Sequence, residues 1–312
     1  MSQEQIGLIT HCDINYLSRA LSLIDSLRVQ EDNSPVHVLC HDSSSFQRIT
    51  ELNLSKVYPM NRSDMYEKFP DLINAEKNRT SLEFYYCFSP FLLKYLQLLK
   101  YEKLVYLDSD LYFFDTITST LSLSTGYDVG IVPHRFEKND SNLNQYGVYN
   151  VGLVYFENNE NAINTLDWWA ESCLNSTKLE VTETSFGDQK YLDFFKDKQA
   201  SIFEYRGHGD NAAPWNCNFA ELINRDQIRI KGEALHYYHF SGLRIYRRFA
   251  TLGFTSYRKK PNSIMKTRVY RRYIKQVIFW ESQIGDPNRV DYRKITLREV
   301  FNAIRYRDLV FI

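Results

Sequence analysis

The stretch Lys103-Leu-Val-Tyr-Leu-Asp-Ser-Asp-Leu-Tyr-Phe-Phe114 decides the fold. Leu104 to Leu107 are mostly apolar and predict a short buried strand, and the apolar pattern stops at Asp108 and Asp110. Because residues i and i+2 of an extended segment point to the same face, the two carboxylates converge just past the carboxyl end of that strand. Open α/β sheets bind their ligands at this edge.

Two such close carboxylates repel each other unless a cation or a shared proton lies between Asp108 and Asp110. Hard oxygen ligands of this kind suit Mg²⁺ or Mn²⁺. The alternative is a solvated turn after a strand, which a lone D-x-D motif often marks. The remainder of the chain therefore has to decide between a metal site and a turn.

Composition indicates a globular protein, since 44% of the 312 residues are hydrophobic and 24% are charged. The 38 basic residues balance the 38 acidic ones, so no net field favours nucleic acid or an acidic partner. The five cysteines never form C-x-x-C, which argues against a disulfide framework and a zinc site. Neither a signal peptide nor a bilayer-spanning stretch is evident, and we expect a cytoplasmic protein.

The elements around the central strand follow a strand, helix, strand order, which is typical of a parallel sheet. The predicted strands lie at 6–10, 35–41, 104–107, 127–133, 149–156 and 235–240. The predicted helices lie near 20–27, from about 44, at 79–100 with a kink or division at Pro90, at 162–174, and after the loop that begins at Phe186.

Polar side chains follow the first strand. The loop from Thr10 to Tyr16 carries Asp13 and Asn15, and with Tyr16 these can hydrogen-bond a nucleotide and stack on its base. Asp13 is alternatively a cap for the helix that follows. Further along, Gly152 interrupts a β-branched and aromatic strand, which predicts a bulge or the close approach of a ligand.

The last predicted strand ends at His239, which Ser241 and Gly242 follow. A single histidine at a strand end is usually structural. Here we expect the strand to end at the same sheet edge as Asp108 and Asp110, and this favours a role as a metal ligand.

The segment from Ala234 through Trp280 contains eleven lysines and arginines but neither aspartate nor glutamate, interleaved with aromatic residues. Such a segment suits an anionic membrane surface or a phosphate-bearing substrate. Because no recognisable nucleic-acid-binding module accompanies it, we expect no nucleic-acid partner.

Taken in order, the polar motifs resemble those of the GT-A glycosyltransferases. The resemblance is strongest to the retaining class that includes glycogenin and the bacterial lipopolysaccharide galactosyl- and glucosyltransferases, and it covers roughly residues 5 to 245. It implies a Rossmann-like mixed, mostly parallel sheet flanked by helices. The motifs are Asp13 with Tyr16, Asp108-x-Asp110, Asn150-x-Gly152, Gly187-Asp188-Gln189, Pro214-Trp215-Asn216 and His239-x-x-Gly242.

The resemblance implies a role for each matching residue. Asp108, Asp110 and His239 would hold Mn²⁺ or Mg²⁺ on the diphosphate of a nucleotide-sugar, expected to be a UDP-sugar. Asp188 and Gln189 match the catalytic pair beside the anomeric carbon. The residues implied to contact the nucleotide-sugar are Thr10, Asp13, Asn15, Tyr16, Arg79, Ser109, Asn150, Gly242 and Arg244.

Two positions depart from the family pattern. The arginine that the family carries in the helix before D-x-D is missing near Phe88, and Arg79 is taken as its substitute. The lysine expected three residues after the phosphate glycine is Ile245, with Arg244 or Arg247 in its place. Arginine and lysine are not interchangeable at such a site.

The activity that the resemblance implies is metal-dependent transfer of a sugar, with retention, to a hydroxyl of a glycan or glycolipid, as in polysaccharide biosynthesis. A divalent ion stabilises the charge that grows on the leaving diphosphate, and a carboxylate or amide oxygen stabilises an oxocarbenium-like transition state. We expect a catalytic domain at 1–245 and a basic, largely helical extension at 246–312. Residues 244–275 would dock the protein on the inner face of an anionic membrane.

Two other functions are open on the sequence alone. Phosphatases of the haloacid-dehalogenase type also place Asp-x-Asp after an apolar strand, and Gly187-Asp-x-x-x-x-Asp193 imitates their later acidic motif. Against them stand Tyr112, where that family has Thr or Val, and the roughly one hundred residues before the strand. The other alternative is a non-catalytic nucleotide-sugar-binding or membrane scaffold protein, against which the intact Asp108 and Asp110 argue.

Overall fold

The computed structural model describes residues 5–224, 227–285 and 295–312. The strands in chain order are β1 (Ile6–Cys12), β2 (Val36–Cys40), β3 (Val57–Asn61), β4 (Lys103–Leu107), β5 (Leu111–Phe113), β6 (Val129–Pro133), β7 (Tyr149–Glu157), β8 (Ile202–Glu204), β9 (Glu221–Leu222), β10 (Ile228–Ile230), β11 (Glu233–Ala234), β12 (Tyr237–His239), β13 (Arg244–Ile245), β14 (Phe249–Thr251) and β15 (Leu309–Phe311).

A seven-stranded sheet forms the centre, in the order β3-β2-β1-β4-β7-β6-β8. The first four strands of this order are parallel to one another, whereas β7 runs antiparallel to both β4 and β6. Every residue of β2, β4 and β6 is buried, as expected for strands covered on both faces. The predicted mixed, mostly parallel α/β sheet is confirmed.

Helices cover both faces of this sheet, and two hydrophobic clusters fill the layers between them and the strands. Short 3₁₀ helices lie at Lys138–Tyr146, Gln189–Asp197 and Phe254–Tyr257. The α-helices in chain order are α1 (Leu17–Val29), α2 (Ser43–Leu52), α3 (Arg62–Lys68), α4 (Asp71–Lys77), α5 (Ser81–Leu98), α6 (Ile117–Ser122), α7 (Glu160–Asn175), α8 (Arg271–Gln283) and α9 (Leu297–Arg305).

Of the two alternatives predicted at Pro90, a kink or a division, the division is wrong, since α5 is continuous through this residue. A proline inside a helix costs about 3 kcal/mol because it removes a hydrogen bond and crowds the preceding turn. Phe84, Phe88 and Leu92 on the same helix are fully buried, and each such side chain contributes about 1.5–3 kcal/mol. Burial of this face therefore outweighs the local cost.

The predicted strand at 235–240 is shorter and lies outside the central sheet. It is β12, which pairs antiparallel with β5 in a two-stranded ribbon. In this ribbon His239 lies opposite Leu111, and the Phe240 amide donates to the Asp110 carbonyl over 3.0 Å. The ribbon thus carries His239 to the carboxyl end of β4 by a different route from the one expected.

The described residues from Arg244 onward form helices and a small antiparallel sheet of β13, β14 and β15. A π-helical turn, Met265–Tyr270, leads into α8, and α8 packs against α1. Trp280 donates its indole N–H to Asp25 over 2.8 Å, and Ser18 donates to Glu281 over 2.6 Å. Within the described residues, no helix is long and apolar enough to cross a membrane.

Candidate active site

Asp108, Asp110 and His239 meet just beyond the carboxyl end of β4. One ligand atom from each lies within 4.8 Å of the other two. His239 Nε2 is 3.0 Å from Asp110 Oδ1 and 3.6 Å from Asp108 Oδ2. His239 lies about 130 positions after the two aspartates in the sequence, and the β5–β12 ribbon brings the three residues together.

Burial and mutual charge shift the pKa values of all three groups. Burial raises the pKa of Asp108, and the neighbouring charge of Asp110 adds to this effect while His239 opposes it. For Asp110 burial acts in the same direction, but the charge and hydrogen bond of His239 outweigh it and lower the pKa. The two carboxylates in turn raise the pKa of His239 against the effect of its burial. The two carboxylates of the cluster therefore favour a positive charge beside them.

Gly152 on β7 makes room for this cluster. A Cβ atom there would lie 2.5 Å from Asn150 Oδ1 and 2.9 Å from His239 Nδ1, both too close for ordinary contacts. Its carbonyl also accepts the Asp108 amide over 2.8 Å. The bulge predicted at Gly152 is confirmed, since the β6–β7 register shifts between the pairs Gly130–Tyr155 and Val132–Asn150. The alternative, the close approach of a ligand, stays a prediction, because the groups nearest to a Cβ atom there are protein side chains.

The cluster opens into a cleft of about 790 Å³, which is a usual size for a small-molecule site. Many of the residues singled out from the sequence line it. These are Asp13, Tyr16, Asp108, Ser109, Asp110, Asn150, Asp188, Gln189 and His239. Asp13 also accepts from the amides of Asn15 and Tyr16 over 2.9 and 3.1 Å, so it shapes the loop before α1 as well.

Five predicted contacts are not among the residues that line the cleft. Thr10 is fully buried in β1, and Asn15 is exposed and hydrogen-bonded to Asp13. The guanidinium of Arg79 donates to the carbonyls of Cys173 and Leu174 at the end of α7, so it stabilises a helix terminus instead.

The other two lie beyond Ser241, which does line the cleft. Gly242 has φ 76°, a left-handed conformation that favours glycine, and it is exposed. Arg244 is exposed and forms an ion pair of 3.4 Å with Glu299 on α9. Arg247, the other candidate substitute for a phosphate-binding lysine, is exposed too.

Asp188 is buried at the inner side of the cleft. The Ser89 hydroxyl donates to Asp188 Oδ2 over 2.5 Å, and Trp169 donates to its carbonyl over 3.0 Å. Burial raises the pKa of Asp188 to about 7, the Ser89 bond opposes this shift, and the charge of Asp108 adds to it. Gln189 donates its amide N–H to the Tyr146 carbonyl over 2.8 Å, so its amide oxygen is the end left for a ligand.

Sequence reasoning missed several cleft residues. His11, the last residue but one of β1, and His41, which follows β2, lie at the same sheet edge, and this placement is a signal that could have found them. On the other side of the metal cluster, Tyr257 contacts Trp215 of the Pro214-Trp215-Asn216 motif with ring centroids 6.3 Å apart, and Trp215 lies 5.2 Å from His239. No local pattern marks Tyr257.

Comparison with known families places residues 8–221 within the model of glycosyl transferase family 8. Two uncharacterized proteins of Bacillus subtilis (strain 168) are similar in sequence. YfnF is 27% identical over 243 residues, which are 73% of this chain and 78% of YfnF. YfnD is 22% identical over 276 residues, which are 86% of this chain and 88% of YfnD.

Two solved structures share the fold at 13% sequence identity. An active-site mutant of LgtC matches with a TM-score of 0.50 over 88% of this chain and 96% of its own. The bifunctional glycosyltransferase WbbM, in its apo form, matches with a TM-score of 0.51 over 97% of this chain and 52% of its own.

Proposed function

Because this chain belongs to glycosyl transferase family 8 and is a glycosyltransferase of the GT-A fold, we propose that it transfers a hexosyl group from a UDP-sugar to a hydroxyl of a glycan or glycolipid, with retention. The observation that carries the proposal is the meeting of Asp108, Asp110 and His239 at a cleft that also contains Asp188 and Gln189.

Asp108, Asp110 and His239 are the proposed ligands of Mn²⁺ or Mg²⁺. Their fit to such an ion rests on the donor set, since the ion pairs of both carboxylates are with His239 and leave the cluster net negative. When bound, the ion supplies Lewis-acid stabilisation of the charge on the departing diphosphate. The three side chains would hold the ion at the end of β4.

The remaining cleft residues divide between the two substrates. Asp13 and Tyr16, at the end of β1, are proposed to bind the base and ribose, and Asn150 the donor sugar. The Gln189 amide oxygen, left free by the bond to Tyr146, is proposed to face the developing positive charge at the anomeric carbon. Asp188 lies beside it and adds negative charge once ionised.

The aromatic group beside His239 is the proposed acceptor site. Phe136 stacks on His134 with centroids 4.7 Å apart, and Trp215 and Tyr257 extend the same wall. Aromatic side chains offer large, rigid apolar area with few conformations to lose, which suits the apolar face of a sugar ring. A glycan or glycolipid hydroxyl is thus proposed to enter from this side.

A thermal-shift experiment tests the donor. UDP-sugars with Mn²⁺ at about 100 times their Kd are expected to add about 2.7 kcal/mol to the stability, or roughly 5 °C in Tm. The same UDP-sugars with EDTA should leave Tm near that of the free protein. Slow metal-dependent hydrolysis of one UDP-sugar should accompany the shift, whereas shifts that ignore the metal, or release of phosphate from simple esters, would contradict the proposal.

The membrane surface predicted at 244–275 stays a prediction, which its exposed cations support and its buried aromatic residues do not. In this segment the aromatic residues Phe254, Tyr270 and Tyr273 are buried, while most of its cations are exposed. The aromatics therefore belong to the core and cannot insert into lipid. The neighbouring helix α9 has the exposed apolar side chains that this segment lacks.

On α9, Leu297, Phe301 and Ile304 occupy one face at helical spacing and are 89%, 66% and 61% exposed. Phe311 on β15 is exposed as well. Exposed arginines accompany this face, namely Arg298, Arg305 and Arg307. Apolar residues flanked by arginines are typical of a helix that lies in the interface of an anionic bilayer, and we place the proposed membrane contact here.

Vesicle flotation tests this surface. The protein is expected to float with phosphatidylglycerol vesicles and to dissociate as salt rises, because both apolar burial and charge contribute. Phe301→Glu combined with Ile304→Glu should reduce the bound fraction about tenfold. Phe279→Ser on α8, which removes an exposed aromatic elsewhere, is the control. Unchanged flotation of the double variant, or self-association through this face without flotation, would argue against it.

A further inference from the structure

A chain of side-chain hydrogen bonds joins α3 to one of the metal-cluster carboxylates. Arg62 Nε lies 3.4 Å from His41 Nδ1, and His41 Nε2 lies 2.6 Å from His11 Nδ1. His11 Nε2 lies 2.9 Å from the Tyr106 hydroxyl, which donates to Asp108 Oδ1 over 2.8 Å. We call these five residues the histidine relay.

The two ends of the relay fix the direction of every bond in it. An arginine can only donate, and an ionised aspartate can only accept. His41 Nδ1 must therefore accept from Arg62, which leaves its Nε2 to donate to His11. By the same reasoning His11 donates from Nε2 to Tyr106, and Tyr106 donates to Asp108. All four bonds point toward the carboxylate.

The surroundings of the relay hold this arrangement in place. Tyr106 is 1% exposed, and His41 stacks on Tyr85 with centroids 3.9 Å apart and planes at 12°. Burial lowers the pKa of His11 to about 4 and that of His41 well below its ordinary value, so both rings are neutral donors and acceptors. A neutral pair is what the directed chain requires.

The far end of the relay is anchored as well. Arg62 forms an ion pair of 2.6 Å with Glu76 on α4, and the Tyr66 hydroxyl donates to the other oxygen of Glu76 over 2.6 Å. Arg62 also lies over the ring of Tyr85, 5.6 Å from its centroid. The donor that begins the chain is thus fixed by two helices outside the cleft.

We propose that the histidine relay is a positioning device for the cation site, which holds Asp108 Oδ1 so that Oδ2 is presented to the ion beside His239. This inference rests on the proposed function, since it concerns the same carboxylate. His11, His41 and Tyr106 are positioning residues in this scheme. Hydrogen bonds behind a ligand orient it, and their loss typically weakens metal binding by about 10–100-fold.

Mn²⁺ affinity tests the relay independently of turnover. The Kd for Mn²⁺, measured from the electron paramagnetic resonance signal of the free ion at saturating UDP, is expected to rise about tenfold in Tyr106→Phe. His41→Phe keeps the stack on Tyr85 but breaks two bonds of the relay, and should raise this Kd by a smaller factor, about threefold. His41→Gln, whose amide can donate to His11, should restore most of the affinity.

His37→Phe is the matched control. His37 is, like His41, a buried histidine; it lies in β2, bonds to the Tyr101 hydroxyl over 3.0 Å and stacks on Tyr58, but it is not part of the relay. It should change Tm without changing the Kd for Mn²⁺. Equal Kd values for His37→Phe, His41→Phe and the parent would refute the relay and leave the proposed function unaffected.

Two further outcomes are informative. If His41→Phe weakens UDP binding at saturating Mn²⁺ but leaves the Kd for Mn²⁺ unchanged, then His41 contacts the nucleotide and the relay is refuted. If the parent protein itself binds no Mn²⁺ in the presence of UDP, the cation site of the proposed function fails, and the relay fails with it.

Discussion

Asp110→Asn is expected to lower kcat by about three orders of magnitude and to remove the metal dependence of UDP binding. The substitution keeps the shape of the side chain but removes one of the two negative charges of the cluster. Asp110 Oδ1 is 3.0 Å from His239 Nε2, so the change also weakens the third ligand's position. A loss of about 4 kcal/mol of transition-state stabilisation corresponds to about 10³ in rate.

The fold should tolerate this change. The bond that joins the β5–β12 ribbon at this point uses the Asp110 backbone carbonyl, which the substitution leaves in place. Donor turnover and UDP binding with and without Mn²⁺ are the measurements. Asp167→Asn, which alters an exposed carboxylate of α7 paired with Lys94, is the control and should behave as the parent. Unchanged metal-dependent binding and turnover in Asp110→Asn would refute the catalytic hypothesis.

Asp188→Asn is the second substitution with a large expected effect, because it removes a buried carboxylate proposed to lie beside the anomeric carbon. We expect kcat to fall by about 10²–10³-fold, the size of effect seen when one preorganised group is removed. The variant should differ from the parent in stability as well. Its pH dependence has a defined sign.

The pKa of Asp188 is raised from 3.8 in the unfolded chain to about 7 in the folded protein. The folded state therefore binds the proton more tightly, and the stability linked to it is complete below pH 4 and lost as pH rises through 7. At about 1.4 kcal/mol per pKa unit, the loss is at most about 4 kcal/mol. Asp188→Asn should flatten this part of the profile and be the more stable protein at pH 8.

Urea unfolding without added metal, at a series of pH values between 4 and 8, measures this profile. Ser89→Ala is an informative companion, because loss of the Ser89 bond should raise the pKa of Asp188 further and move the fall in stability to higher pH. If Asp188→Asn retains the slope of the parent, the buried carboxylate is not the group that titrates.

The parts of the fold that could be predicted are those with strong local patterns. Continuous apolar runs located β1, β2, β4, β6 and β7, and these suffice to define a parallel α/β sheet. Strand β3 was missed because Val57–Asn61 is only partly buried and contains Pro59, so it lacks an apolar pattern.

The family match decides against the two alternative functions that the sequence left open, since the chain is neither a haloacid-dehalogenase-type phosphatase nor a mere scaffold.

The site divides in the same way. Carboxylates at the end of an apolar strand are a local signal, and Asp108 with Asp110 could be singled out from it. The hydrogen-bond partners of Arg79 could not be predicted from a local signal, because they lie at the end of α7, some 95 residues away. The same is true of the relay, whose members become neighbours only when strands and helices have assembled.

The packing of α8 on α1 has a consequence for synthesis. Helix α1 leaves the ribosome well before the helix that covers it, because α8, which contacts α1 through the Trp280–Asp25 and Ser18–Glu281 bonds, follows more than 240 residues later. Contacts between residues so far apart in the sequence form slowly, and the apolar surface of α1 stays exposed until they form. The nascent chain should thus need chaperone protection until α8 is translated.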